Sequence, residues 1–195
     1  MTFTREQDGV RMVIFDWAGT LIDHGSLAPF TAFVDLFAQR DIVLTQAQAR
    51  RPMGLAKRAH LEALFSLPEV ASQWRARYGR APNSSDVDAM YADFVPAQLL
   101  ALARHGEVLE EAPRAFAQLR ARGMRIATTT GYFRAAARLI WQRARSEGVV
   151  SDHDVCAEDV SAGRPAPWMN FHCMQALSVF PPERVLVAGD TRADM

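Results

Sequence analysis

Asp16 closes the run Val13-Ile14-Phe15 and is followed at once by Trp17-Ala18-Gly19-Thr20. Apolar residues leading into a carboxylate and then a small-residue turn suit a buried parallel strand. Ligands of open α/β sheets sit outside the carboxyl ends of such strands. Three more polar signals follow in order: Thr128-Thr129-Thr130-Gly131-Tyr132, then Arg164 within Ser161–Trp168, then Gly189-Asp190-Thr191-Arg192-Ala193-Asp194. Two separated acidic loops can hold a hard cation such as Mg²⁺, which takes carboxylates and water. A threonine hydroxyl and an arginine can hold phosphoryl oxygens, and a carboxylate nucleophile beside them allows phosphoryl transfer through an aspartyl-phosphate. Taken singly, each signal has an ordinary meaning: a cap or turn aspartate, β-propensity in a threonine run, a Gly-Asp-Thr turn. Their order, each at or just after the end of a core segment, carries the chemical reading.

The basic residues add a fifth signal. Of 22 Lys and Arg residues, 21 are arginine and one, Lys57, is lysine. Such a bias suggests a GC-rich coding background, under which a retained lysine reads equally as chance survival or as kept for a task closed to guanidinium. An amine can lose its proton and attack a carbonyl, whereas guanidinium stays charged.

These residues need a scaffold. Strands are expected at Arg11–Phe15, Met124–Thr128 and Val185–Ala188, and a short one fits Val155–Ala157. Helical patterns fill the gaps, at Pro113–Arg122, Phe133–Glu147 and Pro165–Leu177, which argues for a parallel sheet with helices on both faces. The first two strands lie more than a hundred residues apart, far beyond one crossover. The insert reads as helical: Phe30, Phe33, Val34 and Phe37 recur at helical spacing, and Thr45-Gln46-Ala47-Gln48 resembles a capping box. A helix over Leu55–Phe65 stops at Pro68, and others are expected over Val70–Tyr78 and Asp86–Ala103. The domains implied are a core of residues 1–24 and 104–195 and a helical cap of 25–103.

With 22 acidic and 22 basic residues, the chain gives no electrostatic case for nucleic acid. No apolar run approaches a membrane span, and Met1–Asp8 shows no signal-peptide apolar region. Cys156 and Cys173 have no metal spacing and read as buried small residues. A cytoplasmic protein is expected.

The four ordered motifs resemble those of the haloacid dehalogenase superfamily, matching Asp16, Thr129, Arg164 and the Asp190/Asp194 loop. Phosphatases of that superfamily usually carry Asp-x-Asp in the first motif, the second Asp protonating an oxygen leaving group; here that position is Ala18. The stretches FDWAGT, PMGLAKRAH, TTTGY, AGRPAPWM and GDTRAD are similar to the phosphonoacetaldehyde hydrolases, or phosphonatases, over about residues 11–195. The resemblance implies an α/β fold: a Rossmann-like parallel sheet core of haloacid dehalogenase type with an inserted small helical cap domain. It also implies Mg²⁺-dependent cleavage of a carbon–phosphorus bond in 2-aminoethylphosphonate degradation. Asp16 would be nucleophile and metal ligand, with the Ala18 carbonyl and Asp190 as further ligands and Asp194 supporting the metal through its water shell or by orienting neighbours. Thr129 and Arg164 would hold phosphonyl oxygens. Lys57 would form a Schiff base, and His60, three residues on and on the same helix face, would either shuttle protons or serve as a solvated or packed histidine. Met53, Gly131 and Tyr132 would line the pocket and depress the lysine pKa by desolvation.

A homodimer acting on a small phosphonate, away from nucleic acid and membrane, is implied too. Family members continue past the last motif, so the resemblance places a further C-terminal part beyond Met195. The linker Gly106–Pro113 is more acidic than the family pattern suggests. Two other readings compete. One is a phosphomonoesterase or phosphomutase of the same superfamily, which the loss of the acid at Ala18 opposes. The other is a truncated inactive remnant that only binds Mg²⁺ and phosphate. A generic nucleotide-binding domain fails for want of a glycine-rich phosphate loop.

Overall fold

A computed structural model describes residues 9–194. Met1–Asp8, read above for a signal peptide, and Met195 lie outside the described residues. Four strands form one parallel sheet in the order β3-β2-β1-β4: β1 (Met12–Phe15), β2 (Arg125–Thr130), β3 (His153–Cys156) and β4 (Val185–Ala188). The helices are α1 (Leu27–Ala38), α2 (Gln46–Arg50), α3 (Lys57–Phe65), α4 (Pro68–Tyr78), α5 (Ser84–His105), α6 (Ala112–Ala121), α7 (Arg134–Ser146) and α8 (Trp168–Ala176).

β1 is apolar throughout because both its faces are covered. Met12 and Ile14 pack with Ala127, Val155 and the α8 residues Met169 and Cys173 on one face. Phe15 stacks on Phe116 of α6 on the other, ring centroids 5.4 Å apart. β4 lies at the edge of the described sheet, with Leu186 52% exposed. Both cysteines are free and buried, and no helix among the described residues is long and apolar enough to cross a membrane.

Helices α1 to α5 occupy the interval between β1 and β2. α1 packs along α5, where Phe33 and Phe94 stack at 4.3 Å. The two chain crossings into and out of this segment run side by side. The Asp23 amide donates to the Glu107 carbonyl and the Leu109 amide to the Leu21 carbonyl, both at 2.9 Å. The acidic linker joins through its backbone while Glu107, Glu110 and Glu111 stay exposed.

The capping box at Thr45 and Gln48 forms as expected, and a second, at Asn83 and Asp86, opens α5. Several expected boundaries shift by one to three residues, and two of the shifts bear on the site. β2 continues through Thr130 because Thr129 and Thr130 pair with Val155 and Cys156 of β3. The last long helix starts at Trp168, not Pro165: residues 163–166 form a turn, the Ala166 amide donating to the Gly163 carbonyl at 3.1 Å, and Pro167 disfavours a helical Ala166 before it.

A buried hydrogen-bond chain ties the residue after Asp16 to the far edge of the sheet. Trp17 Nε1 donates to Thr128 Oγ1 at 2.7 Å, and that hydroxyl donates to Asp154 Oδ1 at 2.5 Å. Asp154 also accepts from Ser151 and pairs with Arg145 at 3.2 Å. Thr128→Val keeps the side-chain shape but strands the Trp17 indole N–H, so it is expected to cost about 1–3 kcal/mol. Urea unfolding checks this; an unchanged midpoint would show that the chain carries no load.

Candidate active site

The sheet brings all four polar signals to one end. The Asp16 amide donates to the Ala188 carbonyl at 2.9 Å, so its backbone still lies on the β1–β4 ladder. Asp190 and Asp194 sit in the turn after β4, Thr129 and Thr130 end β2, and Arg164 stands in the loop before α8. Arg164 is the knot. Its Nη1 donates to Asp16 Oδ1 at 2.6 Å, and its Nη2 donates to Thr129 Oγ1 at 2.6 Å and to the Thr129 carbonyl at 3.1 Å. Asp194 Oδ1 lies 2.9 Å from the same Nη1, without the alignment of a hydrogen bond. Asp194 Oδ2 accepts from the Thr191 amide at 3.0 Å and hydroxyl at 2.6 Å, which fixes the loop that carries Asp190.

Asp16, Asp190 and Asp194 each bring one carboxylate oxygen to within 4.8 Å of the others. An all-oxygen, anionic donor set fits a hard divalent cation. The buried Asp194 Oδ1 without a hydrogen bond is an acceptor such an ion could use. Gly19 belongs to the same arrangement. It has φ +83°, and a Cβ there would stand 2.2 Å from Asp190 Oδ2, so only glycine fits. Burial raises the Asp16 pKa to about 6, with Arg164 pulling it down and Asp194 pushing it up.

The lysine arrives from the helical segment. Lys57 is the first residue of α3 and is 5% exposed. Its Nζ lies 4.8 Å from the Tyr132 ring centroid. Burial lowers its pKa from 10.5 to about 8, with Asp16 pulling it back up and the Arg164 charge pushing it down. A helix N-terminus further disfavours a cation. Glycine makes the approach of the two segments feasible: a Cβ on Gly131 would meet the Leu55 carbonyl at 2.5 Å, and one on Gly54 would meet Thr191 Oγ1 at 2.5 Å.

Asp16, Lys57, Arg164, Asp190, Ala18, Met53, Gly131 and Tyr132 all line one small cavity of about 20 Å³, room for about one water. Two sequence expectations come out differently in space. Thr130, not Thr129, is on the cavity wall, while the Thr129 hydroxyl is taken up by Arg164. His60 does share a helix with Lys57, but it is fully buried and stacks on Phe33 at 3.8 Å. Its Nε2 lies 3.0 Å from the Ala49 carbonyl. Burial, then the Lys57 charge, drives its pKa down to about 2, so the ring is neutral at working pH. This environment supports packing more directly than proton shuttling.

Two residues the sequence did not single out also matter. Ser26, buried in a left-handed conformation, lines the cavity and donates to Asp190 Oδ2 at 3.4 Å. Asp23 accepts from the Leu27 and Ala28 amides at 2.8 and 2.9 Å and so caps α1. An acidic residue ahead of an apolar helix was the available signal for Asp23; nothing local marked Ser26.

The haloacid dehalogenase-like hydrolase family profile matches residues 10–195. The phosphonoacetaldehyde hydrolase of Syntrophobacter fumaroxidans is 40% identical over 186 residues, covering 95% of this chain and 67% of that protein. That of Paraburkholderia xenovorans is 42% identical over 182 residues, covering 93% and 68%. The chain belongs to the phosphonoacetaldehyde hydrolases of the haloacid dehalogenase-like hydrolase family. It is a hydrolase with their α/β fold, and it spans about two thirds of the length of these relatives. A crystal structure of a phosphonoacetaldehyde hydrolase-like protein from Oleispira antarctica superposes with a TM-score of 0.92 at 34% identity, covering 95% of this chain and 67% of that one.

The buried amine has a measurable cost. The fold disfavours protonated Lys57, so the cost is complete below pH 8, shrinks from pH 8 to 10.5 and vanishes above. Lys57→Met is therefore expected to stabilise the protein at pH 7 by up to about 3 kcal/mol. The gain should fade toward pH 10. Thermal melts at both pH values check this; a variant less stable at pH 7 would refute it.

Proposed function

We propose that this hydrolase cleaves the carbon–phosphorus bond of phosphonoacetaldehyde, giving acetaldehyde and phosphate, with Lys57 and Asp16 as the two reacting groups. One observation carries the reading: the chain's single lysine is buried in the cavity that also holds Asp16 and Arg164. The names of the relatives supply the substrate.

The neutral Lys57 amine adds to the aldehyde carbonyl and loses water to form an imine. Arg164 and Thr130 orient the phosphonyl oxygens. Asp16 attacks phosphorus, and the electrons of the breaking carbon–phosphorus bond flow toward the protonated imine nitrogen, leaving an enamine. Water then attacks the aspartyl-phosphate, freeing phosphate and Asp16. The enamine takes a proton at carbon and hydrolyses to acetaldehyde and Lys57. Ala18 fits this scheme because the leaving atom is carbon, which needs an electron sink rather than the acid that would protonate an alkoxide. The same absence opposes the phosphomonoesterase reading.

Asp16, Asp190, Asp194 and the Ala18 carbonyl would hold Mg²⁺, which when bound supplies charge neutralisation for an anionic phosphorus centre. In this reading residues 25–103 act as a cap, and the cavity, too small for the substrate, opens to admit it. A cytoplasmic homodimer handling a product of 2-aminoethylphosphonate breakdown belongs to the same proposal.

Borohydride trapping tests it. Incubation with phosphonoacetaldehyde and borohydride is expected to place one adduct on Lys57, none on Lys57→Arg. The trapping rate should rise about tenfold per pH unit below pH 8 and level off above it, because only the neutral amine reacts. No adduct in a folded sample would sink the Schiff-base route, and a midpoint near 10.5 would sink the depressed pKa. Ala18→Asp should restore an oxygen-protonating acid and raise hydrolysis of phosphate monoesters measurably above the parent; an unchanged rate would remove the leaving-group argument.

A further inference from the structure

Beside the small cavity lies a wider cleft of about 490 Å³. Ser26, Met53, Asp190 and Thr191 line both, so the two spaces share a wall. The cleft carries three arginines, Arg50, Arg51 and Arg192, against a single carboxylate, Asp190. None of the three guanidiniums is ion-paired to a carboxylate among the described residues, whereas other arginines such as Arg58, Arg80 and Arg134 are.

The three differ in how they are held. Arg50 is anchored: its Nη1 donates to the Gly25 carbonyl at 2.8 Å and its guanidinium lies over Phe30 at 4.8 Å. Its Nε is buried without a partner. Arg51 and Arg192 are exposed and come from segments far apart in the chain, one just past α2 and one in the turn that carries Asp190. With no net charge on the chain, there is no global field to attract an anion. A local cluster of guanidiniums in the cleft beside the cavity, without carboxylate partners among the described residues, supplies one instead.

We propose that Arg50, Arg51 and Arg192 form an anion-capture cleft that delivers the negatively charged substrate to Lys57 and Asp16. The cleft selects phosphonate-bearing aldehydes over neutral ones before any bond is made. Lys57 would condense with any small aldehyde that reached it, so a charge filter at the opening confers selectivity that imine chemistry lacks. Guanidinium suits the task, because it stays charged and matches the paired oxygens of a phosphonate. This inference rests on the phosphonate reading above.

The test compares trapping rates at Lys57 for phosphonoacetaldehyde and for neutral acetaldehyde, in the full chain and in the Arg51→Gln/Arg192→Gln double variant. Both replaced residues are exposed, so the variant is expected to melt like the parent. For the parent, the phosphonate rate should fall about tenfold between 20 mM and 500 mM salt, as a steered encounter does. The variant should start about tenfold lower and lose most of that salt dependence. Acetaldehyde should react equally fast with both proteins at either salt. Equal phosphonate rates and equal salt dependence in the two proteins would overturn the inference while leaving the Schiff base intact. If neither aldehyde labels Lys57, the Schiff-base reading fails, and the cleft is judged by calorimetry with inorganic phosphate. Binding weaker in the variant by about threefold or more then supports anion capture, and equal affinity overturns it.

Discussion

Keeping Asp16 out of water while leaving it able to react is the constraint around which this molecule is arranged. A carboxylate in a protein interior is costly unless a partner compensates it. Arg164 is that partner, and it bridges Asp16, Thr129 and Asp194 at the same time. One guanidinium therefore links the ends of β1 and β2 to the turn after β4. Arg164 itself is 8% exposed, so solvent screens the charges of the knot only weakly. Two cations, Lys57 and Arg164, face three carboxylates across this space. The surplus negative charge is what a divalent cation would reverse, leaving the cavity suited to an anion.

The second reactive group depends on the first. Lys57 belongs to α3, in the helical segment that leaves the sheet after β1 and returns before β2. The paired crossings at residues 21–23 and 107–109 set where that segment sits. Gly54 and Gly131 let its loop settle directly on the ends of β2 and the 191–193 turn. Burial there weakens the hold of Lys57 on its proton, and the charge of Asp16 limits how far that goes. The amine and the carboxylate thus tune each other, and both lose stability for the fold in exchange for reactivity.

His60 shows how the same burial can remove a residue from chemistry. It lies one helical turn from Lys57, yet it is sealed between Phe33 and the Ala49 carbonyl and stays neutral. Thr129 and Thr130 divide in a related way. Successive residues of a strand point to opposite faces, so Thr129 turns toward Arg164 while Thr130 faces the cavity.

The sequence by itself determined the strands to within about two residues, the order of the polar signals along the chain, the helical insert and the uniqueness of Lys57. These are local matters of periodicity, breakers and residue type, and they are written within a few positions. What only the tertiary structure decided was which of three consecutive threonines faces the cavity that Asp16 lines. It also decided that Ser26 stands beside Asp190 and that three arginines gather at one opening. His60 could be placed on the face of Lys57 from spacing, but not known to be closed off from solvent. Each of those outcomes depends on burial and facing between segments far apart in the chain, Asp16 and Arg164 being 148 residues apart. A run such as Thr128-Thr129-Thr130 carries no local mark of which hydroxyl turns toward a partner that distant.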